Sequence, residues 1–158
     1  MALGCTSDIP DSDIPELELD GVAVYKNKAG KDSMVVLSLN YKDGDGDLGL
    51  SKDDTLPPYN YGNVGYYTLL VSYKIAKNKV WQHIVIPSSA DTLHFNQRFQ
   101  RLSLADKKKA VSGNLMLRIP ASPYPGLKPD SIMLTSYILD RSLHKSNQVA
   151  TNAIKLQH

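Results

Sequence analysis

One cysteine among 158 residues leaves no intrachain disulfide, which excludes an antibody-type domain stapled by a cysteine pair. No stretch approaches the roughly 20 consecutive apolar residues that a membrane-crossing helix needs. Clusters of His and Cys are missing as well, which argues against zinc. The patterns G-x-S-x-G, H-E-x-x-H and the phosphate-binding P-loop do not occur, so three large catalytic classes lack their signatures. Basic residues are dispersed except for Lys107, Lys108 and Lys109, with no aromatic-interleaved stripe. Nucleic acid is therefore not an expected partner. Helical periodicity is almost lacking. Only "LSLADKKKAV" (102–111) reads as helix, two turns at most.

What remains is an ordinary globular composition, 42% hydrophobic and 22% charged, in a chain long enough for one domain with a real core. The net charge of +2 conceals an asymmetry. Residues 1–54 hold twelve of the sixteen acids and five Lys or Arg, while residues 55–158 hold four acids and thirteen. The start, "MALGCTSDIPDSDIPE", explains part of it. Ala2-Leu3-Gly4-Cys5 is similar to the end of a bacterial lipobox, whose cysteine becomes a lipidated N-terminus. The charged and apolar parts of a signal peptide do not precede it, as expected of a trimmed chain. Six acids follow with no Lys or Arg before Lys26, a self-repelling composition. The expectation is a mostly disordered tether over 1–20 and one folded domain over 21–158, with Cys5 as a lipid anchor and the only membrane contact.

From there on, alternation with period two dominates. "MVVLSLNY" puts Val35, Leu37, Leu39 and Tyr41 on one face, and "YYTLLVSYKIA" does the same with Tyr67, Leu69, Val71, Tyr73 and Ile75. "AKNK" then turns the chain and "VWQHIVIP" returns it, a hairpin. "DTLHFNQRF", "GNLMLRIP", "SIMLTSYILD" and "VATNAIKL" supply four more strands. The break "ASPYPGLKPD" forbids regular pairing. Seven or eight short strands predict an all-β fold, an antiparallel immunoglobulin- or fibronectin-like β-sandwich, with a small barrel as the alternative. Trp81 is expected in the core.

The most chemical segment is "NYKDGDGDLGL". Asp43, Asp45 and Asp47 alternate with glycines that permit the positive φ angles of a tight curl. Calcium takes six to eight oxygen ligands, and carboxylates so spaced can close around one ion. These residues match positions 1, 3 and 5 of an EF-hand loop, and Asp54 falls at position 12. However, Leu48 stands where that loop needs glycine, and strand precedes it instead of helix, so an EF-hand is rejected. The alternative is a plain turn, since Asp-Gly is also a turn signal. In a sandwich, the loop after the second strand and the loop before the last emerge at the same end. That second loop, "DRSLHKSN", offers Asp140 as a fourth ligand and Asn147 as a weaker candidate. An ion pair of Asp140 with Arg141 or Lys145 is the competing reading.

Among the histidines, His83 reads as a sheet residue and His94 as outward-facing. His144 near Asp140 leaves a hydrolase as a third functional reading. Tyr59, Tyr61, Tyr66 and Tyr67 fall in one long loop, where tyrosines either recognise a ligand or cover the end of the sandwich.

Cys5 with its acidic tether, "YKDGDGDLGL", "VWQHIVIP" and the ending "ILDRSLHKSNQVATNAIKL" together resemble a family of small lipoproteins of Bacteroidetes-type bacteria. The resemblance spans most of residues 5–156, but only the aspartate loop and the closing segment are specific. The ending is similar to that family's "DRAGN-SN…T", with Ser142-Leu143-His144 in place of Ala-Gly-Asn. It implies an immunoglobulin-like sandwich at the cell envelope, an outer-membrane lipoprotein that is periplasmic or surface-exposed, and no particular activity. The expected function is non-enzymatic: a calcium-ordered module whose partner is an envelope protein or glycan. A carbohydrate-recognition module using Tyr59 and Tyr61 is the runner-up.

Overall fold

A computed structural model describes residues 12–77, 80–86, 91–101 and 109–158. Among them there is no helix. Eight strands form two antiparallel sheets facing each other as a β-sandwich. Cys5, residues 102–108 of the helix-like stretch, and Lys107 and Lys108 lie outside the described residues.

The first sheet joins β1 (Glu16–Lys26), β2 (Asp32–Asp43) and β5 (Val111–Pro120), with β2 central. The second carries β3 (Leu69–Lys77), β4 (Val80–His83), β6 (Ser131–Ile138), β7 (Val149–Ala150) and β8 (Ile154–Lys155). Its order is β4-β3-β6-β7, with β8 also pairing with β6. The first, second and fifth strands thus face the third, sixth and seventh, as A, B, E face C, F, G in immunoglobulin-like sandwiches.

Alternation drives this arrangement. Val35, Leu37, Leu39 and Tyr41 from β2 are all buried, as are Leu69, Val71 and Tyr73 from β3. Ile119 of β5 and Ile132, Leu134 and Ile138 of β6 complete the centre. Tyr73 is wholly buried, and its hydroxyl donates to the Ala121 carbonyl at 3.2 Å, which satisfies the polar end of a large apolar side chain.

Four expectations need correction. The tether ends earlier than residue 20, because Glu16–Asp20 already belongs to β1 and pairs with β2 from Glu16 opposite Lys42. Leu17 and Leu19 turn inward while Glu16, Glu18 and Asp20 are exposed, so the acids lie on the outer face of an ordinary edge strand. "DTLHFNQRF" is no regular strand. It follows β3 through isolated bridges, Ser72 with His94 and Leu69 with Gln97, and the Val71 N–H donates to the Asn96 side chain at 2.9 Å instead of to a strand carbonyl. Trp81 sits half-buried on the edge strand β4, outside the core. "VATNAIKL" is strand only in two short pieces, because the Thr151 hydroxyl accepts the Leu134 N–H at 3.1 Å and interrupts the ladder.

The face assignment makes a direct prediction. Leu37 is 1% exposed and Met116, on the outer face of β5, is 66% exposed. Leu37→Ala is expected to cost about 2–5 kcal/mol of unfolding free energy. Met116→Ala should stay within about 0.5 kcal/mol of the parent. Urea titration of both variants measures the contrast, and comparable losses would contradict the assigned faces.

Candidate metal centre

β2 delivers Asp43 at its last position, opposite Val111, and the chain then curls through 44–50. Two glycines make the curl possible. Gly46 has φ +69°, and a Cβ there would lie 1.9 Å from the Lys109 carbonyl oxygen. Gly49 has φ +91°, and a Cβ there would meet the Gln100 carbonyl at 2.5 Å. Leu48, at the position an EF-hand reserves for glycine, is instead a fully buried plug. Leu50 bonds Phe99 and Arg101 through its backbone. With the apolar residues pulled inward on either side, the carboxylates have little freedom to separate.

They converge. One oxygen from each of Asp43, Asp45 and Asp47 lies within 4.8 Å of the others. Asp43 is 1% exposed; its Oδ2 accepts the Leu48 N–H at 3.0 Å, while its buried Oδ1 has no hydrogen-bond partner. Burial, and next the charge of Asp45, push the Asp43 carboxyl up to about 6, with Asp47 and Asp140 adding to it. Asp45 Oδ1 accepts the Asp47 N–H at 3.3 Å. Asp47 reaches across to the loop after β6, accepting from the Arg141 N–H at 3.3 Å, the Ser142 N–H at 3.1 Å and the Ser142 hydroxyl at 2.7 Å. The two loops do share one end of the sandwich.

Asp140 stands beside this group, coupled to Asp43 and Asp47 by charge, but outside the tight cluster. Its Oδ1 accepts the His144 N–H at 2.7 Å and its Oδ2 pairs with His144 Nδ1 at 2.9 Å, which closes its own loop. Burial raises the Asp140 carboxyl, and the charge of Asp140 raises the His144 imidazole. The expected pairing with Arg141 or Lys145 does not form. Arg141 Nη2 binds Asp54 Oδ1 at 2.7 Å, and Lys145 lies over the Tyr137 ring at 4.0 Å. Asp54 thus neutralises an arginine and is not a fourth loop ligand.

Asn147 is engaged on β1. Its amide accepts the Leu17 N–H at 2.8 Å and donates to the Leu17 carbonyl at 2.7 Å, in the manner of a neighbouring strand. His144 and Asp140 do come together as sequence reasoning expects. Among the described residues, however, no hydroxyl or thiol hydrogen-bonds to His144 Nε2, so the pair lacks an activated nucleophile.

The tyrosine loop folds over the same end. The Tyr59 hydroxyl donates to the Arg141 carbonyl at 2.6 Å, and the Arg141 guanidinium lies over its ring at 5.8 Å. Arg98, which the sequence did not single out, holds this loop from beneath. Its guanidinium donates to the carbonyls of Tyr59, Tyr66 and Asp54 at 2.9, 3.1 and 2.7 Å. A lone arginine in an irregular segment carries no signal that would have revealed this. Tyr61 remains 78% exposed.

Comparison with known proteins adds little. No family model matches the chain, and no curated protein matches it either. Crystal structures of wild-type OgpA from Akkermansia muciniphila in two crystal forms share 15% and 16% identity, each with a TM-score of 0.41. They cover 90% of this chain and 29% and 28% of theirs. A catalytically inactive OgpA in complex with an O-glycopeptide (glycodrosocin) substrate gives 15% identity and the same score, covering 90% and 31%. The chain spans less than a third of that protein's length. A likeness of that extent transfers no function.

The buried carboxylates predict a pH dependence. A group whose pKa is raised by folding contributes its stability below its unfolded pKa and loses it as pH rises through the folded value. Asp43, Asp140 and His144 all have this sign. Asp32, held down by its hydrogen bond from Lys26, has the opposite sign and matters only on stronger acidification. In the presence of a chelator, the melting temperature should therefore rise as pH is lowered from about 7 to about 5. The response should shrink in Asp43→Asn. Circular dichroism melts check it, and a midpoint falling over that window would contradict the assignment.

Proposed function

We propose that this chain is a non-enzymatic lipoprotein of the bacterial cell envelope, anchored through Cys5, whose β-sandwich is an interaction module ordered at one end by calcium. The observation that carries the calcium reading is the unpartnered, buried Asp43 Oδ1 among the carboxylates of Asp45 and Asp47. An ionised carboxylate in that position needs a proton or a cation. Hard carboxylate oxygens favour calcium, whereas magnesium usually keeps several waters and leans on substrate phosphates. Asp140 adds negative charge beside the ion and anchors the loop that Asp47 grips.

Calcium bound to the native state alone stabilises it by about 2.7 kcal/mol at a hundredfold excess over Kd. For a domain of this size that raises the midpoint by about 5–11 °C. Extracellular calcium modules bind in the range of about 0.1–1 mM, so the titration needs millimolar calcium. Asp45→Asn keeps the shape and removes the central charge. It should abolish most of the shift and leave the ion-free protein as stable as the parent or more so. A wild-type melt unmoved by millimolar calcium, with no heat in calorimetry, leaves the segment as a turn and nothing more.

The anchor has its own test. In a Gram-negative host, a precursor with its leader should enter the membrane fraction and take up a fatty-acid analogue at Cys5. A Cys5→Ala precursor that labels and sediments equally well would refute lipidation.

A further inference from the structure

Beside the calcium loop, the segment from Ser51 to Tyr66 and Arg98 enclose an open cleft of about 250 Å³. We infer that this cleft binds the end of a saccharide carrying an acidic group, with Tyr61 as the stacking platform and Lys52 as the charge contact. The inference rests on the interaction-module reading and gives that module's partner a chemical class.

The platform is already built. Tyr61 meets Tyr66 edge-to-face at 5.2 Å and 85°, and Tyr66 meets Tyr67 in the same way at 4.8 Å. Arg98 lies over the Tyr66 ring at 5.2 Å while its donors hold the backbone of Tyr59 and Tyr66. Tyr61 is therefore supported on one side and open on the other, an amphipathic ring fixed before any ligand arrives. Its electron-rich face suits the weakly positive C–H face of a pyranose. Polar partners for ring hydroxyls stand nearby. Asn60 uses its Oδ1 on Asn63 at 2.6 Å, and its Nδ2 donors have no partner among the described residues. The cleft lies just below the usual ligand-site volumes of about 300–1,000 Å³, so it suits no more than a single terminal ring.

Charge decides the kind of saccharide. The Asp54 carboxylate is committed, to Arg141 at 2.7 Å and to the Ser51 N–H at 2.7 Å. Arg98 has only carbonyl partners, so no carboxylate among the described residues neutralises it. Lys52 is exposed on the cleft with no partner among the described residues. The lining is net positive, which favours an anion over a neutral sugar.

The test is an array of mono- to tetrasaccharides ending in sialate, uronate or sulfate, with their neutral counterparts, probed in millimolar calcium. Acidic members should bind, and the arms identify which acid. Tyr61→Ala should lower affinity about tenfold. Lys52→Gln should remove the preference for acidic over neutral members. Each protein is also melted with and without calcium. Tyr61→Ala is expected to keep the parent's calcium shift, which shows that loss of binding is not loss of fold. A calcium shift with no saccharide bound overturns the cleft assignment alone. Saccharide binding without a calcium shift overturns the calcium reading alone. Equal binding of acidic and neutral members, or unchanged binding by Tyr61→Ala, also overturns the inference.

Discussion

The end of this sandwich depends on one carboxylate. Asp47 takes three hydrogen bonds from Arg141 and Ser142, joining the loop after β2 to the loop after β6 across the gap between sheets. Hydrogen bonds to an ionised acceptor are about twice as strong as neutral ones, which makes this tie a firm one. That charge, with those of Asp45 and Asp140, bears on the buried Asp43 beneath it. The tie between loops and the electrostatic stress under it come from the same residues. Relieving the stress by losing Asp47 would also release the loops, whereas a cation or a proton relieves it and leaves the tie intact.

The grip extends further through Arg141. Its N–H belongs to Asp47, its carbonyl accepts from Tyr59, and its guanidinium closes on Asp54. Two parts of the β2–β3 connection and the loop after β6 thus meet on one residue. The Tyr59 wall of the cleft is therefore no independent feature, because it hangs from the backbone that the aspartate loop holds in place.

Much of this was legible because side-chain periodicity reports which face is buried. Val35 to Tyr41 and Leu69 to Tyr73 were read correctly on that ground, and the shared end of the two loops followed from strand order. Periodicity does not report what a backbone N–H bonds to, and that is where the reading failed. Asn96, Ser146, Asn147 and Thr151 each offer a side-chain oxygen to a strand N–H, at Val71, Ile138, Leu17 and Leu134 respectively. A polar side chain can take a ladder position without regular strand beside it, so the identity and length of some edge strands were misjudged. In Glu16–Asp20 the error ran the other way, since net charge hid an alternation that was present. At the site, the aspartate spacing was visible, but the Asp54–Arg141 pair spans 87 positions and leaves no local trace.

Leu143 shows how firmly the site end is held. Its φ is +67°, a left-handed conformation that a branched side chain adopts at a cost of about 1–3 kcal/mol. Two things offset that cost. Asp140 fixes the turn on both sides of Leu143, accepting from the Leu143 N–H with its carbonyl at 3.2 Å and from the His144 N–H with its carboxylate at 2.7 Å. The Leu143 side chain also approaches Gly65, where an added Cβ would lie 2.9 Å from Leu143 Cδ2 and 2.9 Å from the Tyr59 ring. A glycine at 143 would ease the backbone but leave that notch unfilled. Leucine accepts strain in one loop and in return packs it against the tyrosine loop. The shape of the aspartate end and the shape of the cleft are thus set by one packing contact as well as by one carboxylate.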